Sequence, residues 1–199
     1  MSARRFARWL ALATALALLG ACGGSSGGPP ATTRAMCTDP DRRWTVLDQQ
    51  GMAAVASCRA LAGALHIRGG AIAELSALAE LTEVAGDLDI GPTLQLSAID
   101  GLAGLRRVGG ALRIHSNLDT RGVFLPGLRT VGGDFSVVGN VAMTTVSAPA
   151  LETVGGDLRV ERNPHLEWLD IGRLRALEGD YSVRHNPALQ PPPDPGLQR

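Results

Sequence analysis

Residues Leu151–Leu169 read LETVGGDLRVERNPHLEWL. The first part of that phrase is written twice more upstream, as LRTVGGDFSVVGN from Leu128 and as LRRVGGALRIHSN from Leu105. We take as position zero the apolar residue after the Gly-x pair. It recurs at Leu65, Leu88, Leu112, Phe135, Leu158 and Tyr181, in steps of 23, 24, 23, 23 and 23 residues. Two positions later stand Ile67, Ile90, Ile114, Val137, Val160 and Val183. Four earlier stand Leu61, Val84, Val108, Val131, Val154 and Leu177, and seven earlier Cys58, Leu81, Leu105, Leu128, Leu151 and Leu174. A fixed period of this size is the signature of stacked repeats, each unable to bury its own apolar face alone.

The alternation at zero and plus two is that of a strand with one face inward, and its residues are aliphatic or aromatic. The expected fold is therefore mostly β: a single right-handed parallel β-solenoid of about six 23-residue coils, with a short N-terminal helical cap. Gly stands two before position zero in all six copies (Gly63, Gly86, Gly110, Gly133, Gly156, Gly179), where a positive φ or close approach between coils is expected. Asn stands five after in four copies (Asn117, Asn140, Asn163, Asn186), a residue that bonds turn amides and stacks as a ladder. A second apolar set, Leu166, Leu169, Ile171 and Leu174 in one copy and Leu94, Leu96 and Ile99 in another, is assigned to the opposite wall. The third copy, with Thr120-Arg121-Gly122 at that place, is expected to bulge.

The pattern L-x-x-V-x-G-x-L-x-V-x-x-N resembles the receptor L-domain family, irregular β-helical relatives of leucine-rich repeats. The opening copy, Cys58-Arg-Ala-Leu61-Ala-Gly63-Ala-Leu65-His-Ile67, is similar to the first strand of such domains. The resemblance covers residues 37–189 and implies an extracellular binding or cell-surface role. It transfers no ligand-binding residue.

The flanking segments are of other kinds. Residues 1–21 carry a basic start (Arg4, Arg5, Arg8) and an apolar run from Trp9 to Leu19, too short for a comfortable membrane span. They resemble a bacterial lipoprotein signal peptide, and Leu19-Gly20-Ala21-Cys22 resembles its lipobox. That implies cleavage before Cys22 and acylation of Cys22, placing the protein at the outer membrane or cell surface. Residues 22–36, rich in Gly and Ser, read as a flexible tether, and residues 190–199, with Pro191, Pro192 and Pro193, as a Pro-rich tail that blocks further strand pairing. Cys37 and Cys58 are then an even pair in an exported chain, which favours a disulfide. It would clamp the intervening segment, with Val46, Leu47, Met52, Val55 and Ala56 on one helical face, over the first coil.

Composition narrows the chemistry. Formal net charge is zero, aromatics are 4%, and every one of the 19 basic residues is Arg. Absence of Lys excludes Schiff-base, P-loop and Ser-Lys mechanisms, and the charge and few aromatics argue against nucleic acid. Removing residues 1–21 leaves sixteen Arg against nineteen acids, a mildly acidic product.

The outward strand positions hold the candidates. Asp134, Asp157 and Asp180 stack one before position zero, with Arg159 beside them. Such carboxylates, ~5 Å apart, either share a cation or sugar, or cap backbone amides at a turn while Arg balances their charge. His66, His115, His165 and His185 show no metal-binding spacing, so neither a metal nor a cofactor is expected. Trp168 points outward if Leu166 and Leu169 take the core slots. The expected function is a lipid-anchored, monomeric, non-catalytic binding module, held to the membrane by its anchor and recognising an unknown protein or glycan. The alternatives are a carbohydrate-active β-helix enzyme and a structural envelope spacer.

Overall fold

Each copy of the phrase becomes one coil, and the coils stack with their apolar columns in register. The computed structural model describes residues 37–189. The signal segment, Cys22, the tether and the Pro-rich tail lie outside the described residues.

Three parallel sheets run along the stack, with strands numbered in chain order. The largest contains the position-zero strands: β1 (Arg43–Asp48), β3 (Ala64–Ala71), β5 (Leu88–Thr93), β8 (Leu112–His115), β11 (Phe135–Val138), β14 (Leu158–Glu161) and β17 (Tyr181–Arg184). A second has six two-residue strands: β2 (Ala60–Leu61), β4 (Glu83–Val84), β7 (Arg107–Val108), β10 (Thr130–Val131), β13 (Thr153–Val154) and β16 (Ala176–Leu177). The third has four: β6 (Ala98–Ile99), β9 (Gly122–Phe124), β12 (Thr145–Ser147) and β15 (Trp168–Asp170). Pairing follows the period, with Phe135 opposite Leu112 and Leu158, and Val137 opposite Ile114 and Val160. Columns of like residues therefore meet, and Leu88, Ile90, Phe135, Val137 and Val160 are wholly buried. Each contributes about 1.5–3 kcal/mol of burial, and only neighbouring coils supply the cover.

The Asn column is a buried ladder. Asn117, Asn140 and Asn163 each donate Nδ2–H to a main-chain carbonyl of the preceding coil, those of Ile90, Ile114 and Val137, at 3.0–3.2 Å. Each also donates its main-chain N–H to the side-chain oxygen of the next rung, at 2.9–3.2 Å. Thr93 occupies the equivalent slot in the second copy and starts the ladder, its Oγ1 donating to Asn117 Oδ1 at 2.7 Å. The Gly column answers to the close-approach half of its expectation. None of the six glycines has positive φ, but a Cβ on Gly86 or Gly133 would stand 2.9–3.0 Å from main-chain nitrogen of the preceding coil.

Cys37 and Cys58 form the expected disulfide, with Cα atoms 5.8 Å apart. A loop of this size contributes roughly 3 kcal/mol in the chain-entropy model. The cap itself differs from its expectation. Val46 and Leu47 are not helical: they belong to β1, which adds a seventh rung to the main sheet, and Leu47 faces water. The helix α1 is only Gln49–Ala53, started by Asp48, whose side chain accepts from Gly51 N–H at 2.7 Å. Met52 and Val55 close the first coil, with Trp44 beneath the Arg42 guanidinium.

Leu94 does not line a wall but is 52% exposed at the corner after the Asn ladder, as are Leu118 and Val141 in the next coils. The third copy does not bulge: β9 pairs in register with β6 and β12, because buried Thr120 donates its hydroxyl to Leu96 O at 2.7 Å. The register shifts lie earlier, between Val46 and Asp48 and between Ile67 and Gly69.

Candidate functional site

The outer face of the main sheet carries the expected acidic column, and its carboxylates hold the coils together. Asp134 Oδ1 accepts from Asp157 N–H at 2.9 Å, and Asp157 Oδ1 from Asp180 N–H at 2.7 Å. Asp87 does the same for Ala111 N–H at 2.8 Å. The second oxygens meet arginines: Arg113 is 3.3 Å from Asp87, and Arg159 reaches both Asp134, at 4.0 Å, and Asp157. Asp134, Asp157, Asp180 and Arg159 are thus brought together, in the amide-capping arrangement rather than around an open cation site. No group of His, Cys, Asp and Glu among the described residues is placed to hold a metal ion.

Two polar clusters on this face join direct and diagonal neighbours of adjoining coils. Asp89 lies between His66 Nδ1, at 3.6 Å, and His115 Nε2, at 3.0 Å, approaches without hydrogen-bond alignment at Oδ1. Glu161, which strand alternation turns to the outer face, is nevertheless buried, accepting from Ser182 Oγ at 2.7 Å and Arg184 Nε at 2.9 Å. The Ser182 hydroxyl, assisted by Arg184, holds its carboxyl below the ordinary 4.5, against the opposing push of burial. A depressed folded pKa means that the unfolded chain takes up the proton first as pH falls. This contribution is complete above the unfolded value and is lost as pH drops through the folded one. Thermal melts between about pH 6 and 3 are expected to show Glu161→Gln losing less stability below roughly pH 4.5 than the parent chain. Equal acid limbs would show that Glu161 carries none of this dependence.

Trp168 does point outward, but on a different wall. In the third sheet Val123, Val146 and Leu169 face the core, so Phe124, Thr145, Ser147, Trp168 and Asp170 face out. Trp168 is 63% exposed and Phe124 42%. Trp168, Thr145 and Gly122 are paired in one row across three coils, and Ser147 separates Asp170 from Phe124 in the next. A Cβ on Gly122 would stand 2.3 Å from the Phe124 ring, so the ring leans over that glycine. The result is a shallow surface with an aromatic near each end, ~10 Å apart, and two hydroxyl side chains between. Phe124 was missed from sequence. It sits two residues past the place two repeats before Trp168, and only the strand's inside-out alternation puts both on one face.

Among the described residues no helix is long and apolar enough to cross a membrane. Comparison of the chain with protein-family models, with curated proteins and with solved structures finds no match in any of the three.

Proposed function

We propose that this chain is a lipid-anchored, exported recognition module of receptor L-domain type, binding a glycan or another macromolecule at the cell envelope without catalysis. The observation that carries this reading is Trp168, a large apolar side chain left 63% exposed on a wall whose partner positions are filled by Thr145, Ser147 and Phe124. Exposed aromatics beside hydroxyls offer stacking area and hydrogen bonds together, and such residues dominate binding energy where they occur. The acidic column supports the same reading from the other side, because its carboxylates are engaged by amides and arginines.

A glycan array and an envelope pull-down with the parent, with Trp168→Ala, and with Asp134, Asp157 and Asp180 changed together to Asn would test it. Trp168→Ala is expected to weaken a captured partner about tenfold or more while leaving the melting temperature unchanged. Binding that survives Trp168→Ala but not the Asp changes would move the site to the main sheet. Cleavage of a glycan, abolished by the Asp changes, would establish the enzyme instead.

A further inference from the structure

The acidic column of the main sheet is broken twice, by Ala64 and by Ala111. Where the column is intact, each carboxylate accepts the main-chain N–H one coil on. Asp87 takes that of Ala111, Asp134 that of Asp157 and Asp157 that of Asp180, at 2.7–2.9 Å. Ala64 precedes Asp87 in the column and brings no carboxylate, and Asp87 N–H donates to no group among the described residues. The break at Ala111 is closed over: Ala111 is 5% exposed, and Arg113 beside it is drawn to Asp87 Oδ2 at 3.3 Å. The break at Ala64 is open. Ala64 is half-buried and, with Asp87, Arg42, Arg43, His66 and Asp41, lines a cavity of about 320 Å³. Arg43 is the partner of Ala64 across β1 and β3, so strand alternation puts its exposed side chain beside this rung. Arg42 lies with its guanidinium 4.2 Å from the Trp44 ring centre, and its Nε is buried without an acceptor. His66 faces Asp89 through Nδ1 at 3.6 Å. Of the two acids, Asp87 turns both oxygens to the following coil, on Ala111 N–H and Arg113, and Asp41 is exposed.

We propose that this cavity binds the carboxylate of a sugar acid, a uronate, with one oxygen on Asp87 N–H and the other on Arg43. The ligand would supply from outside what the column supplies elsewhere from within. Asp87 itself is the pattern: one oxygen on a main-chain N–H, the other on Arg113. Asp157 repeats it, with Asp180 N–H and Arg159. A flat carboxylate suits one amide and one guanidinium, whereas tetrahedral anions are held by several converging amides. The rest of the lining suits hydroxyl groups. Asp41 offers an acceptor, Arg42 Nε a donor, and His66 a ring nitrogen of either kind. The volume is at the lower end for small-molecule sites, room for one sugar ring rather than a chain. The cavity belongs to the first two coils and the main sheet, and Trp168 to the third sheet of the fifth coil, so each site can fail without the other.

Amide-resolved NMR titration of the full chain carrying Cys22→Ser tests this, with galacturonate as the probe and galactose and inorganic phosphate as comparisons. Galacturonate is expected to shift the Asp87 amide proton saturably, galactose to leave it in place, and phosphate to bind at least about tenfold more weakly. Arg43→Gln should weaken galacturonate about tenfold. Ala64→Asp gives the rung its own carboxylate. It should abolish galacturonate binding and raise the melting temperature by about 3 °C, since Asp87 N–H then has an internal acceptor. An Asp87 amide that galacturonate does not move, or that galactose or phosphate moves equally well, would overturn the proposal. So would galacturonate affinity undiminished in Ala64→Asp. Should Ala64→Asp fail to fold, Arg43→Gln decides alone, and unchanged affinity there overturns it.

Discussion

Asn140→Ala is expected to destabilise the protein by about 4 kcal/mol and to lower its melting temperature by roughly 10 °C. Asn140 Oδ1 accepts from the main-chain N–H of Asn117 at 3.2 Å and from its Nδ2 at 2.9 Å. Its own Nδ2 donates to Ile114 O at 3.1 Å and to Asn163 Oδ1 at 3.1 Å. Truncation leaves the main-chain N–H of Asn117 and one of its Nδ2 hydrogens without an acceptor in the buried interior, each costing about 1–3 kcal/mol. The cavity is lined by polar groups but flanked by coils on both sides, which limits how well water can replace the amide. Asn186→Ala removes the same kind of rung at the last described position of the ladder, where the residue is 8% exposed while the other three rungs are wholly buried. Water can then satisfy what remains, and the loss should be about half as large. Thermal unfolding of the two variants beside the parent measures both effects. Equal losses would show that position along the stack is irrelevant, contrary to a chain whose stability comes from neighbouring coils.

The parts of this fold that could be read from sequence are those that repeat. The columns at Leu88, Ile90, Val84 and Leu81 recur because each must meet its own counterpart one coil away, and the same demand puts Asn140 over Asn117. Cys37 and Cys58 were legible for a different reason: with Cys22 assigned to an anchor they formed an even pair in a chain expected to be exported, which favours a disulfide. What escaped was whatever occurs once. β1 has neither the Gly-x pair nor the Asn of the phrase, because a terminal rung has a coil on one side only, so Val46 and Leu47 read as helix. Leu94 is aliphatic and periodic yet exposed, since the chain turns a corner after Thr93 and no column arithmetic gives the angle of that turn. The diagonal contacts of Glu161 with Ser182 and of Asp89 with His115 depend on offsets between strands, which periodicity does not reveal. Trp168 was singled out together with Asp134, Asp157 and Asp180, and the three-walled cross-section separates them. The outer face of the main sheet is built from side chains that satisfy one another. The third sheet has small side chains and two aromatics, and that contrast, visible only in three dimensions, moves the candidate contact surface from one wall to the other.

Gly156→Ala, one methyl group on a surface turn, is expected to cost about 2–4 kcal/mol. The added Cβ would stand 2.9 Å from the main-chain nitrogen of Asp134, 3.0 Å from the carbonyl carbon of Gly133 and 2.3 Å from Asp134 Oδ1. The carboxylate can rotate away, but only by releasing Asp157 N–H, which it holds at 2.9 Å, and by withdrawing from Arg159. The two main-chain atoms cannot rotate. Relief requires the coils to separate locally, and Gly156 N–H and C=O lie in a segment bound to both neighbours: Gly155 N–H donates to Val131 O at 2.9 Å, and Gly156 O accepts from Gly179 N–H at 3.0 Å. Backbone torsion is not the cause, because φ at Gly156 is not positive. Gly172→Ala separates the two explanations. Its Cβ would meet only Asp170 Oδ1 at 3.4 Å, an ordinary contact, and its φ is likewise not positive. That change should stay within about 0.5 kcal/mol of the parent. If denaturant unfolding shows Gly156→Ala as mild as Gly172→Ala, the coils are not in the close contact that the recurring glycine implies, and the six-fold repetition of Gly at this position would need a different physical cause.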